Sequence, residues 1–490
     1  MTPPKSEQVL KKPANHKGDQ SMKYEPRNIR MKDLPEPCSE LPQSLPVLSR
    51  DRYAARLSKF RQAMKINNLE AVVIYGDREH YANFKYFVGF EPRFEEALLV
   101  IFRDDPSYLI LGNECEPMHR YAQLDVEILL CQTLSLPSQP MHQSIPVGDL
   151  LARTGLGRGI RTGVVGWKLF TPLHGADYQK LFDLPSFIMD DLISIVGIDD
   201  LYNVTGLLID PAQNGIRIQS DADELAVLEY GAAMAAQGVA SVLANVRPGI
   251  SELELANCMG SQGSLISCHP LLLAGPNVDR GMVSPTSYVI QAGDPFVTSY
   301  GLEGGLTCRE GYVVSSVDEL PESLRRYLDD LAKPYFAAVA SWYSTIGLNV
   351  SGKEIYDVVN SIIPKEKFGW KLNPGHLTST EEWLSSPIDS TSELVFTSGM
   401  TVQMDIIPNA PPYCGVNAED GVCLADEALR GRIAEQYPDL WQRFQLRRHY
   451  MEDVLGIFLK PEVLPMTNMT GLYCPLLLKP RLGFVIDRSV

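Results

Sequence analysis

Residues 293–314, GDPFVTSYGLEGGLTCREGYVV, can form little other than a β-hairpin. Two runs containing β-branched and aromatic residues flank Gly-Leu-Glu-Gly-Gly, and a glycine-rich break between such runs reverses the chain. The arms are not uniformly apolar, because Ser299, Arg309 and Glu310 stand within them. The hairpin therefore carries polarity and charge to a place where a plain core strand would keep neither. An isolated hairpin is marginal in water, so further strands and a covering layer must come from elsewhere in the chain.

The flanking sequence supplies both. Asp221 and Glu224, Ser251 and Glu254, and Ser351 and Glu354 have the spacing at which two side chains cap a helix N-terminus reciprocally. Leu225, Leu228, Ala232, Ala235 and Val239 form one helical stripe, and residues 322–346 predict a long helix that Pro334 would kink. GHLTST (375–380), GMTVQMDIIP (399–408) and AEDGVCLAD (418–426) read as strands joined by turns. Blocks of helix and antiparallel strand predict an α+β domain over 213–490, with helices covering a curved sheet. Upstream, Tyr53, Leu57, Phe60 and Met64 mark a helix, and AVVIYG (71–76), ALLVIF (97–102), SYLILG (107–112) and VEILLC (126–131) mark buried strands. These predict an α/β domain over 49–212, in which the glycine-rich GLGRGI (155–160) is a loop and not a phosphate cradle. Residues 1–48 are polar and proline-rich and read as a flexible, surface-draped arm.

Composition removes several function classes. A net charge of −16 and a pI near 5.0 argue against a nucleic-acid partner. The nine cysteines are scattered without a CxxC pair, which fits neither a disulfide framework nor a zinc ribbon. There is no uninterrupted apolar run of about 18 residues and no secretory h-region, so neither a membrane partner nor export is expected. A cytoplasmic protein with reduced thiols is the expectation.

The order of RPGISELELA, a GD-headed hairpin, a lone Gly-His, a GM-headed strand and an ED-headed strand resembles the pita-bread family of creatinase, aminopeptidase P, prolidase and methionine aminopeptidase. The first domain resembles the N-terminal domain of creatinase, aminopeptidase P and prolidase. The resemblance thus covers 49–490 and implies a pita-bread C-terminal domain, a homodimer and a small-molecule substrate. In peptidases of this kind two Asp, one His and two Glu bind two divalent metals. Carried over, the first Asp becomes Ser299 and the second Glu310. The histidine is His376, and the two Glu positions are Asp405 and Glu419. Two further active-site histidines fall on Met282 and Trp383.

The resemblance therefore implies a rebuilt site. Glu310, His376, Asp405 and Glu419 could hold a single metal (Mn, Co, Fe or Zn), with Ser299 removing the other. Alternatively, the four act without metal, as in creatinase, with carboxylates clamping a cationic substrate and His376 as base. A hydrolase of a C–N bond in a small amide, guanidino or amino-acid-derived compound is the first expectation. A divergent Xaa-Pro metallopeptidase and a non-catalytic binding protein are the alternatives. Arg309 could bind a substrate carboxylate or pair structurally with Glu310. Arg93 could reach a cleft or stay solvated. Trp383 could floor a cation pocket or fill core, and Tyr300 could donate a hydrogen bond or pack. Cys308 reads as a buried, inert thiol, and His269 as a strand-end histidine near the missing imidazole.

Overall fold

The computed structural model describes residues 22–260, 263–281 and 283–487. In the first half, a six-stranded sheet runs Val126–Leu130, Ser107–Leu111, Ala97–Phe102, Ala71–Gly76, Thr162–Val165, Leu201–Asn203. Ala97–Phe102 is antiparallel to both its neighbours, and the other pairs are parallel. Alternate residues of the AVVIYG strand feed two cores. Val72 and Ile74 pack with Tyr53, Phe60 and Met64 of helix Arg50–Ile66. Ala71, Val73 and Tyr75 pack with Leu150, Ile188 and Leu192 from helices Val147–Arg153 and Ser186–Ile195. Burial on both faces explains why these strands read as unbroken apolar runs.

The second half is built on an antiparallel sheet. Its order is His376–Leu377, Thr401–Met404, Asn417–Leu424, Gly305–Tyr312, Pro295–Leu302, Ile266–Ala274, and Val463–Pro465 also pairs with Asn417–Leu424. The predicted hairpin is its centre, with Leu302 opposite Gly305. Gly304 in the turn has φ +114°, and a Cβ there would collide with the backbone of Leu228, so both conformation and space require glycine. One face of this sheet carries the core. Phe296, Tyr300 and Leu302 pack on helix Ala222–Asn245, and Ala418, Val422 and Leu424 pack near helix Lys333–Thr345. All three reciprocal helix caps form.

Three expectations are corrected. Residues 322–346 are not one kinked helix: a wide π-turn over Leu328–Ala332 precedes Lys333–Thr345, and Pro334 sits in the first turn, where its missing N–H costs nothing. Helix Ala222–Asn245 is long and apolar enough to cross a membrane, but 72% of its apolar window is buried inside the protein. Its composition therefore serves the core. The arm assigned to 1–48 is not loose over its described part. Ile29–Asp33 pairs antiparallel with Leu482–Ile486, Ile29 and Leu34 are buried, and the Tyr24 hydroxyl accepts from Phe458 N at 3.0 Å. The partner strand lies some 450 residues away in sequence, so no local pattern announces the pairing. Residues 1–21 lie outside the described part.

Candidate metal centre

Strand register assembles the site. Leu271, Ser299, Cys308 and Glu419 stand opposite one another across four strands, so their side chains share a face. His376 is opposite Gln403, and Asp405 lies two residues beyond Gln403, just past the end of its strand. His376, Asp405 and Glu419 each bring one donor atom within 4.8 Å of the others, and all three are buried.

The electrostatics of this group are unfinished. Burial pushes the Asp405 carboxyl up to about 6 against the pull of His376, with Glu382 adding to the rise. Burial, then Asp405 and Glu382, hold Glu419 well above the ordinary carboxylate range, although Gln403 Nε2 donates to it at 3.2 Å. Burial disfavours the His376 cation, but Glu382 and Asp405 outweigh that and raise its pKa. His376 Nδ1 lies 3.2 Å from Leu377 O. Its Nε2 makes no aligned hydrogen bond, although Glu382 Oε1 is 3.1 Å away. Asp405 Oδ1 is also buried without a partner. Native interiors rarely leave such atoms unpaired. Converging carboxylates and an imidazole, with one carboxylate oxygen orphaned and the ring nitrogen facing a further carboxylate, fit a divalent cation that takes O and N ligands.

Not every expected residue joins the group. Glu310 is on the same sheet face, but its carboxyl lies against Gly415, where a Cβ would collide with it. Burial alone pushes it up to about 7. The extra methylene carries the carboxyl past the place an aspartate would reach. Ser299 faces the site but offers no carboxylate. Arg309 points the other way: its guanidinium pairs with buried Asp420 at 2.5 Å and donates to Met469 O and Glu419 O. Its ion pair is with Asp420 and not with Glu310. Tyr300 is core, packed at Gly238 of helix Ala222–Asn245. Trp383 is neither core nor a separate pocket floor. It is 39% exposed and stacks on His376, ring centroids 4.1 Å apart. Cys308 is buried and its thiol is held well above its ordinary value by burial and Glu419, so it is inert. Met282 lies outside the described residues.

A cleft of about 930 Å³ opens beside the group, lined by Arg78, Arg93, Cys268, His269 and Glu382 among others. Arg93 faces this cleft from its own chain, pairs with Glu91 at 2.8 Å, and holds φ at +35°. Burial and the nearby Glu382 and Glu419 push the Cys268 thiol up to about 12, which places it beside the acidic group.

Glu382 is the residue that sequence reasoning missed. In the sequence only the Glu-Glu pair of NPGHLTSTEEW, just before Trp383, marks it. The loop bearing it is pinned at the two residues before it. Thr380 donates to Glu303 at 3.1 Å, and Glu303 is held by Lys85. Glu381 is gripped by both terminal guanidinium nitrogens of Arg217, which also donates to Asn83, in the helix Ala82–Val88.

With this geometry in hand, similarity to known proteins is informative. The chain superposes on a prolidase from Pyrococcus horikoshii OT3 with a TM-score of 0.59 and 17% identity, covering 76% of this chain and 95% of that one. An Xaa-Pro dipeptidase from Bacillus anthracis gives 0.58 and 16%, covering 76% and 96%. The His243Ala form of Escherichia coli aminopeptidase P gives 0.52 and 14%, covering 77% and 93%. This chain has the pita-bread fold. No protein-family model matches it. An uncharacterized peptidase, YqhT of Bacillus subtilis (strain 168), is 23% identical over 224 residues, and the match spans 44% of this chain and 62% of that protein. On the pita-bread plan, the face opposite the core helices carries the His376 group, as the register requires.

Proposed function

We propose that the protein is a hydrolase of a C–N bond in a small peptide or amide, working with one divalent cation (Mn, Co, Fe or Zn) held by His376, Asp405 and Glu419. The observation that carries this reading is the convergence of these three buried side chains with Asp405 Oδ1 left without a hydrogen-bond partner and only a carboxylate, Glu382, against His376 Nε2. A cation bound there supplies Lewis-acid polarisation of a scissile carbonyl and an acidified water. The remaining work falls to the chain. Gln403 holds Glu419 in place, and Trp383 covers one face of the His376 ring. Glu310, with its carboxyl raised to about 7, can hold or release a proton near neutrality on the same sheet face. Arg78 and Arg93 along the cleft suit the carboxylate of a short peptide.

Peptides are favoured over guanidino compounds because the similar proteins whose names state an activity are peptidases. The metal-free alternative also asks His376 to act as base, yet that ring is fully buried between Glu382 and Trp383. The test is metal content by inductively coupled plasma mass spectrometry on untagged protein, followed by a screen of Xaa-Pro dipeptides, amides and guanidino compounds. About one metal per chain is expected, with dipeptide turnover lost to a chelator and restored by Mn²⁺ or Co²⁺. Absence of both binding and turnover after incubation with Mn²⁺, Co²⁺ and Zn²⁺ would overturn the proposal.

A further inference from the structure

We infer that Glu382 occupies the ligand place that the hairpin carboxylate has left, so that the centre is built from His376, Glu382, Asp405 and Glu419. The inference rests on the single-metal reading above. It begins with a vacancy in chemistry: Ser299 brings no carboxylate, and the Glu310 carboxyl is lodged against Gly415 among Tyr312, Tyr327 and Cys414. Three protein donors remain, which leaves the other positions around a divalent cation to water or to a further side chain.

Glu382 is the carboxylate that reaches this group through His376, from outside the three residues whose donor atoms lie within 4.8 Å of one another. Its Oε1 stands 3.1 Å from His376 Nε2, the nitrogen left without an aligned hydrogen bond. Two donors each about 2.1 Å from one ion, at a right angle, are about 3.0 Å apart, so this separation suits two ligands of the same cation. Glu382 lines the cleft together with Cys268 and His269, so it approaches His376 from the cleft side. Its side chain is 24% exposed, whereas that of His376 is fully buried. Glu382 thus sits where the group meets the cleft.

The loop also explains how a residue outside the sheet can serve as a ligand. Ligands must be held rigidly, and strands do this for His376 and Glu419. Residues 379–383 have no strand ladder, but Thr380 is tied to Glu303, Ser379 N donates to Glu381 O at 3.0 Å, and Glu381 is clamped by Arg217. With both its predecessors fixed, Glu382 has little freedom except at its own side-chain torsions. Glu381 and Glu382 therefore divide two tasks: the first anchors the loop to the N-terminal domain, and the second meets the cation.

The experiment titrates chelator-stripped, full-length protein with CoCl₂, following heat by calorimetry and the visible Co²⁺ bands by absorption. Wild type, Glu382→Gln and Glu310→Gln are compared after circular dichroism confirms that each is folded. Wild type should bind about one Co²⁺. Glu382→Gln should bind at least about 100-fold more weakly, beyond the ~10–100-fold typical of groups that only orient a ligand, and its visible bands should shift. Glu310→Gln should stay within about threefold of wild type in affinity, with the same bands. Wild-type affinity and bands in Glu382→Gln would overturn the inference while leaving the single-metal reading intact. So would a loss confined to Glu310→Gln, which would return the ligand to the hairpin. A wild type that takes up no Co²⁺ would instead remove the single-metal reading, and the inference with it.

Discussion

The two faces of the central hairpin treat charge in opposite ways. On the core face, Arg309 and Asp420 are both buried and fully engaged: Asp420 also accepts from Thr307 and Thr467 at 2.9 and 2.8 Å, and Arg309 reaches three carbonyls besides. Nearby, Glu229 is matched by Arg443 and Arg447. On the cleft face, Asp405, Glu419 and Glu310 are equally buried but, among the described residues, no arginine or lysine forms an ion pair with them, and all three carboxyls are raised. Burying a charge without a partner is costly in either place. The contrast teaches that burial alone does not mark a functional group. Arg309 stood one residue from Glu310 and looked equally suited to a site, yet it is structural. The mark is burial together with missing partners.

The sharpest way to break the contrast is to remove one residue from each face. His376→Ala should lower turnover by at least about 10⁴-fold, roughly 5 kcal/mol of barrier, because the cation would no longer be held. Circular dichroism must first show that the variant is folded, because the change also removes a fully buried ring stacked on Trp383 and leaves a cavity. Retained turnover would show that the group is not the centre. Arg309→Met should do the reverse: Asp420 would be left buried without its cation, at about 3–5 kcal/mol of stability, read as a lower urea midpoint. If Arg309→Met instead lost activity at unchanged stability, the assignment of faces would be wrong.

Glu310 sharpens the comparison through pH. Its carboxyl is raised from 4.5 to about 7 by burial. A raised acid stabilises the fold below its unfolded pKa, and that contribution is lost as pH climbs through the folded value. In metal-stripped protein, stability should therefore fall between pH 4.5 and about 7, by an amount on the order of 3 kcal/mol from this group. Glu310→Gln, which cannot ionise, should show a flatter profile across that window. The measurement is urea unfolding at closely spaced pH values. Identical slopes in the two proteins would mean that Glu310 ionises freely in the native state.

The same contrast explains what could be read from the sequence. The hairpin, the three reciprocal caps and the strands at 71–76 and 97–102 were legible because local propensity and burial agree there. His376, Asp405 and Glu419 were found by their places in an ordered set of strands, and register does bring them together. Glu310 and Arg309 were misplaced because a one-dimensional pattern does not fix where a longer side chain ends or which partner an arginine chooses. Glu382 was missed for a related reason. Its position depends on a loop held by Arg217 and Glu303, residues that are 164 and 77 positions from their loop partners. The strand at Ile29–Asp33 was hidden by the same kind of distance.

Arg93 offers the smallest effect and the finest test. It lies on the rim of the cleft, 60% exposed, at φ +35°, a left-handed backbone that L residues adopt at a cost on the order of 1 kcal/mol. Strain of that kind at a cleft is a reason to expect a role in binding, and the chemistry available is a guanidinium for a carboxylate. An exposed ion pair of this sort contributes about 1 kcal/mol or less, so Arg93→Ala should raise KM by only about fivefold with kcat unchanged. The rise should appear with dipeptides bearing a free carboxylate and vanish with the corresponding C-terminal amides. Arg93→Gly separates the two causes. Glycine relieves the backbone but removes the guanidinium, so melting temperature should hold or rise while KM rises as in the alanine variant. Equal KM changes for acids and amides would remove Arg93 from substrate recognition, and its conformation would then belong to the Glu91 pair alone.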